Sequence, residues 1–296
     1  MNLYLSGSGE QLPGDLLLES VLRSDLAPIP RTLEFTVRLK DDLQSRLHAG
    51  ASVWGGREHL EYTIVKRERA QPSGVVQGND PMQAMRFTAF LTKCKAIGEP
   101  RMRAVTARNA QLGSLYRACG ANIVILNDFN VSSFACLAGD VPSMAVAVAL
   151  QEEGAALVLR DGKLSVERLN NLMSQAPVDS LGQFDSTAAH DSDLLEQHEI
   201  PMCITVAPDG SIVKGDFSTA RSARFIPGKD ARTLHNLSHV LITRKIADSQ
   251  LAQQIRAGDV VTVAGKKLLV ITAAHRFTAN DGIIDTGSRF WLGEVS

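Results

Sequence analysis

The stretch LHAGASVWGG, residues 47–56, returns near the other end of the chain as IRAGDVVTVAGKK, residues 255–267. Setting Gly50 on Gly258 fixes an offset of 208, from 258 − 50. In that register Leu43 meets Leu251, Ala49 meets Ala257, Val53 meets Val261 and Leu60 meets Leu268, while Leu47 meets Ile255. Five identities across positions 42–65 point to a duplicated unit, one copy near each end, with the rest of the chain inserted between them.

The flanks of both phrases read as β-structure. TLEFTVRL, residues 32–39, alternates apolar Leu33, Phe35, Val37 and Leu39 with polar Glu34, Thr36 and Arg38, the period of a strand with one buried face. The prolines of APIP just before it mark a turn. Leu43 and Leu47, four apart, suit one helical turn with Gly50 as its C-cap, and EYTIV resumes as a strand. QPSGVVQGNDP, residues 71–81, has loop composition and is long for a hairpin connection, which suits a partner contact. MRFTAFLTKCKAI follows as one strand ending near Gly98 and Pro100. At the far end the β-pattern returns through VLITRK and GDVVTVAGKKLLVITAAHRF, a turn at Asn280-Asp281-Gly282, and a last strand SRFWLGEV.

Between these blocks the pattern changes. Leu112, Leu115 and Cys119 stand at helical spacing and stop at Gly120, after which NIVILND reads as a buried strand. Pro142 opens a second helix that ends at Gly154. AALVLRDGKLSVERL is a hairpin turning at Asp161-Gly162, a pair suited to positive φ. The following polar, acidic stretch, 174–199, reads as an exposed connection. The expected fold is therefore α+β and mainly β, with two β-barrel domains flanking a small α/β domain. The boundaries are 1–99 for the first barrel, 100–178 for the middle domain, 179–228 for the connection and 229–296 for the second barrel.

Composition narrows the function classes. The chain has 296 residues, 44% hydrophobic and 21% charged, as in ordinary globular proteins. A net charge of −1 and an aromatic fraction of 5% offer neither a basic footprint nor stacking platforms for nucleic acid. No apolar run approaches the roughly 20 residues that cross a bilayer, and the N-terminus has no secretory pattern, so stable membrane association is not expected. Cys94, Cys119, Cys136 and Cys203 are too scattered for a zinc or redox motif and read as buried free thiols.

Catalytic patterns are equally sparse. His190, Asp191, Asp193, Glu196 and His198 could ligate a metal in a hydrolase, but their spacing matches no known site and a solvated acidic loop explains them. His235 and His239 lack the intervening glutamate of a zinc protease helix and fit a capped turn or an interface pair. Gly7-Ser8-Gly9 lacks the Lys-Ser/Thr of a phosphate loop and suits an N-terminal turn. Glu152 and Glu153, adjacent on a helix, point in different directions and cannot flank one scissile bond. No nucleophile elbow is present. The expectation is a protein with no catalytic residues, no cofactor and no required metal.

Three stretches carry a family resemblance. LLLESVLRSDLAPIPRTLEFTVRL, residues 16–39, resembles the opening of bacteriophage tail baseplate hub proteins. Residues 139–173, GDVPSMAVAVALQEEGAALVLRDGKLSVERLNNLM, look like their middle domain, and the text from Arg256 to Val261 has a common form there. The family includes the N-terminal part of the type VI secretion spike protein. The resemblance implies two tube-type barrels per chain and a homotrimer whose six barrels form a pseudo-sixfold ring. Such a ring joins a sixfold tail tube, or a distal tail protein, to a threefold spike. It leaves a channel for the tape measure protein and for DNA in transit. The implied location is the tail baseplate of a virion, after synthesis in the host cytoplasm. The chain departs from larger members in having no lysozyme-like insertion and no glycine-rich needle, so wall cleavage and puncture fall to partners. A receptor-binding tail component without a channel is the other tail role that fits.

Overall fold

The computed structural model describes residues 1–7, 9–40, 42–70, 84–182, 186–189, 202–215, 222–280 and 283–295. The first block runs through β1 (Leu3–Tyr4), β2 (Leu17–Asp25), β3 (Arg31–Arg38), the single-turn helix α1 (Leu43–Arg46), β4 (Ser52–Gly55), β5 (Leu60–Arg69) and β6 (Ala84–Leu91). In β3 the alternation holds, with Leu33, Phe35 and Val37 buried and Glu34 exposed, although Thr36 is buried as well. Pro28 and Pro30 sit in the β2–β3 turn, where Asp25 donates its backbone N–H to the Pro30 carbonyl at 3.0 Å. Two local expectations change. The C-cap of α1 is Leu47, and Gly50 lies three residues further on, in a separate turn. The strand expected to reach Ile97 stops at Leu91, because Thr92–Gly98 coils into a 3-10 helix that buries Cys94 and Ile97.

The middle block contains β7 (Val105–Gln111), α2 (Leu112–Ala118), β8 (Ile125–Leu126), β9 (Asn130–Cys136), α3 (Pro142–Glu152), β10 (Ala155–Arg160), β11 (Lys163–Arg168) and α4 (Leu169–Met173). Helix α2 uses the Leu112 and Leu115 spacing and ends before Gly120, whose φ is +100°. The strand expected over NIVILND shrinks to Ile125–Leu126, paired in parallel with β11. The chain leaves extended geometry at Asn127, where φ is +50°, and the Asp128 carboxylate then accepts the backbone N–H groups of Gly113 and Phe129. Pro142 occupies the first turn of α3, where its missing N–H removes no helical bond. β10 and β11 pair from Ala155 opposite Arg168 to Arg160 opposite Lys163, and both turn residues, Asp161 and Gly162, have positive φ.

The segment expected to be a plain connection is built into the fold. It supplies β12 (Asp179–Leu181), β13 (Ser186–Ala189), β14 (Met202–Val206), β15 (Ile212–Lys214) and β16 (Ala223–Phe225), and the helix α5 (Ala231–Ser238) follows it. β15, β14 and β16 form their own small sheet, whereas β12 and β13 join the main one. The C-terminal block is β17 (Leu241–Ser249), β18 (Val260–Val263), β19 (Lys266–Asn280) and β20 (Ile283–Val295).

The fold is α+β and mainly β, and both terminal blocks share one twelve-stranded sheet. Its path runs β1-β4-β5-β6-β3-β2-β19-β20-β17-β13, with β18 bonded to β19 and β12 to β18. Among the described residues neither half's ladder returns to its own first strand. Instead β2, the edge of the N-terminal half, is hydrogen-bonded to β19 of the C-terminal half.

Candidate assembly interface

The two halves are equivalent strand by strand. The N-terminal half orders its strands β4-β5-β6-β3-β2 and the C-terminal half β18-β19-β20-β17-β13, with every neighbouring pair antiparallel. Gly50 and Gly258 adopt φ of +92° and +89°. Each donates its N–H across the hairpin at 2.8 Å, Gly50 to the Ile64 carbonyl and Gly258 to that of Val270. The residue after each closes a turn three residues back, Ala51 to His48 and Asp259 to Arg256.

These bonds also show where the ungapped register fails. The offset of 208 holds through β4 and β18, but Ile64 corresponds to Val270, an offset of 206. The missing residues lie in the hairpin turn, residues 56–59 in the first copy and only Ala264-Gly265 in the second. Leu60 therefore corresponds to Lys266, and Leu268 to Tyr62. Leu43 and Leu251 also part company, since Leu43 is buried on α1 while Leu251 is 37% exposed and outside any helix. The cores nevertheless match. Leu47, Val53, Tyr62, Ile64 and Phe87 in one half take the places of Ile255, Val261, Leu268, Val270 and Phe290 in the other. β5 bulges against β6 between Ile64 and Lys66, and β19 bulges against β20 between Val270 and Thr272, again at an offset of 206.

The in-chain joint between the halves is where polar chemistry concentrates. β2 runs antiparallel to β19, from Asp25 opposite Thr272 to Glu19 opposite Thr278. Beside it, Glu58 of the longer hairpin turn accepts Arg31 at 2.5 Å with one oxygen and Arg256 with the other, so one carboxylate bridges both halves. The Nε atoms of both arginines are buried without a partner among the described residues, at a cleft of about 400 Å³ lined by Ser24, Arg57 and His275 as well. Arg160 of β10 holds Asp259 at 2.6 Å and the Ala257 carbonyl at 3.0 Å, which fixes the Gly258 turn to the middle block. His275 is 4% exposed and stays neutral. Its Nε2–H donates to the Ile255 carbonyl at 3.2 Å while Nδ1 accepts the Ser288 hydroxyl at 2.8 Å. Burial chiefly, with the nearby Arg31 charge, lowers its pKa to about 4 despite that carbonyl.

The residues singled out for chemistry are mostly structural here. Glu153 is 3% exposed and gripped by Arg232 at 2.5 and 2.8 Å and by Arg168 at 3.1 Å. Burial alone would raise its carboxyl, but the two guanidiniums outweigh that and leave it below the usual range. Glu152 pairs with Lys229, just ahead of α5, at 2.5 Å, so the two acids tie the end of α3 to α5 and to the turn that leads into it. The His235 and His239 rings lie 4.2 Å apart at the end of α5, with His239 Nδ1 2.9 Å from the His235 carbonyl. All four cysteines are buried thiols outside any disulfide, and burial pushes the Cys94 and Cys119 thiols up to about 11. Gly9 closes a turn onto the Ser6 carbonyl, and Ser8 lies outside the described residues. So do His190, Asp191, Asp193, Glu196, His198, the 71–81 loop and the Asp281-Gly282 turn. Among the described residues no group of three metal-ligating side chains exists, and no helix is long and apolar enough to cross a membrane.

No family model matches the sequence, and no curated protein matches it. Solved structures do. The 43 kDa tail protein of prophage MuSo2 from Shewanella oneidensis superposes with a TM-score of 0.67 at 12% identity, covering 99% of this chain and 97% of that one. A tail protein from Neisseria meningitidis gives 0.65 at 11% identity, covering 99% and 95%. A chain of the Francisella PdpA–VgrG complex gives 0.51 at 8% identity, covering 99% of this chain and 52% of that one. The chain thus has the fold of these phage tail proteins over nearly its whole length.

Proposed function

We propose that this chain is a structural baseplate hub subunit of a phage tail, three copies of which form a pseudo-sixfold ring between a sixfold tube and a threefold spike. The observation that carries the reading is the doubled strand order. Two equivalent halves in one chain give three chains six similar positions around an axis, so one protein can match a sixfold partner on one side and a threefold partner on the other. The shared fold with phage tail proteins supports a tail role, and the likeness to a chain of a VgrG-containing complex supports the spike side. The role is scaffolding rather than catalysis: the ion pairs at Glu58 and Glu153 hold elements together. The ring's lumen passes the tape measure protein and DNA.

Electron-microscopy class averages of the purified protein, alone and mixed with tail tubes, test the reading. A ring with threefold symmetry, an open axial channel and interfaces above roughly 2,000 Å² is expected. A single subunit on the outer surface of the tail, its halves not sharing one ring, would overturn it in favour of a receptor-binding component.

A further inference from the structure

The halves present equivalent strand edges, yet among the described residues only one of them is occupied. β19 outruns its short partner β18, which covers Lys266 to Leu269, and beyond it residues 272–278 take β2. β5 outruns β4 in the same way, because β4 covers Leu60 to Thr63 and, among the described residues, residues 66–69 bond only to β6. On the donor side, β2 pairs with β3 and then with β19, whereas its counterpart β13 pairs with β17 and with nothing else among the described residues. Among the described residues the N-terminal half therefore lacks what its twin receives, and the C-terminal half has a strand of the right kind to supply it.

We propose that β13 of one copy of this chain adds antiparallel to residues 66–69 of β5 and the adjoining Ala70 in a second copy, repeating between chains the joint that β2 and β19 make within one. The proposal rests on the ring reading and names its contact. Register follows from the internal equivalence. Phe35 lies opposite Ser20 and Phe87, and Ala247 lies opposite Ser186 and Phe290, so Ser186, Ala188 and Ala189 stand for Ser20, Val21 and Leu22. Val21 and Leu22 face Arg276 and His275, which the offset of 206 converts to Ala70 and Arg69. Ala188 then faces Ala70, and Ala189 faces Arg69. The edge carries exposed Lys66, Arg67, Glu68 and Arg69, with Lys66 held by Glu68 at 2.5 Å. Until the partner arrives, these charges protect an open strand from random pairing.

Opposed residues of antiparallel strands are close enough for a disulfide, so the test is Arg69→Cys with Ala189→Cys in one chain. Mild oxidation should move most of the chain into a covalent three-copy species on non-reducing gels. Ala70→Cys with Ala188→Cys should do the same, Glu68→Cys with Ala188→Cys and each single variant should not, and the native thiols, being buried, stay silent. Arg23→Cys with Ala274→Cys must close within one chain and reports that the fold and the oxidation are sound. Rings visible by microscopy whose 69/189 variant stays uncrosslinked would overturn this contact while leaving the hub reading intact. A sound fold with neither ring nor crosslink would overturn both.

Discussion

The Gly50 and Gly258 turns have the same backbone and different surroundings. A Cβ built on Gly50 meets nothing within 4 Å, while one on Gly258 comes within 3.1 Å of both Val158 methyls and 3.4 Å of the Arg160 guanidinium. One copy of the motif faces open space, and the other is clamped beneath the middle block through Arg160 and Asp259. The same contrast recurs at the strand edges: β19 is paired to β2 beyond β18, whereas residues 66–69 of β5, beyond β4, take no second partner among the described residues. What the halves share is the interior that makes each fold, and they differ in what their outsides meet.

That contrast can be broken or sharpened by measurement, and the largest effect sits in the shared interior. Phe87 and Phe290 hold equivalent positions at 1% and 0% exposure. Replacing either by Ala should cost about 3–5 kcal/mol in urea unfolding. Losses differing by more than about 2 kcal/mol would show that the cores are not equivalent, given the spread such substitutions have.

The next effect belongs to one half only. His275 has Arg69 as its N-terminal counterpart, so only the C-terminal half carries a buried neutral imidazole. Its folded pKa of about 4 lies below the ordinary 6.5, so the unfolded chain binds the extra proton first as pH falls. The associated stability is complete above pH 6.5 and is lost towards pH 4, by up to about 3 kcal/mol. His275→Gln should flatten that part of the urea midpoint against pH and leave the carboxylate-dependent loss at lower pH. An unchanged profile would remove His275 as its source.

Smaller still are the glycines. Gly50→Ala should cost about 1 kcal/mol for a side chain at positive φ. Gly258→Ala should cost about twice that in thermal unfolding, because the added methyl also meets Val158. Equal costs would mean that the clamp yields freely. The smallest change has the opposite sign. Ala264 holds φ of +51° in the two-residue turn, so Ala264→Asn should stabilise by about 0.5 kcal/mol or more, whereas His59 at +47° sits in the longer turn and offers no parallel gain.

The repeat was legible because Gly50, Val53 and their counterparts survive as letters. The two-residue difference between the turns was not, because the identity of Leu60 and Leu268 rewarded an ungapped register. Equivalences such as Tyr62 with Leu268, or Phe35 with Ala247, preserve burial but not size or chemistry, so no pattern of letters could carry them. β13 is four residues long in a polar stretch and is a strand only because β17 offers it an edge. The 3-10 helix at Thr92–Gly98 hid for a similar reason, since its residues have ordinary strand character and bend to bury Cys94 and Ile97 beneath the middle block. The joint was illegible in full. Arg31 lies 27 residues from Glu58 within the N-terminal half, but Arg256 lies 198 away and reaches Glu58 through the β2–β19 pairing of the halves.

The spacing of the paired strands sets an order of events during synthesis. In the N-terminal half β2 and β3 are joined by the short connection 26–30 and every described strand lies within the first 91 residues, so its ladder forms from local contacts. In the C-terminal half β12 and β13 leave the ribosome long before β17–β20, and β19 must find β2 across some 250 residues of chain. Contacts that distant form slowly and late. The N-terminal half thus folds first and waits with β2 exposed, its edge carrying Glu19, Arg23 and Asp25 against mispairing, until the last strands arrive to use it as their template.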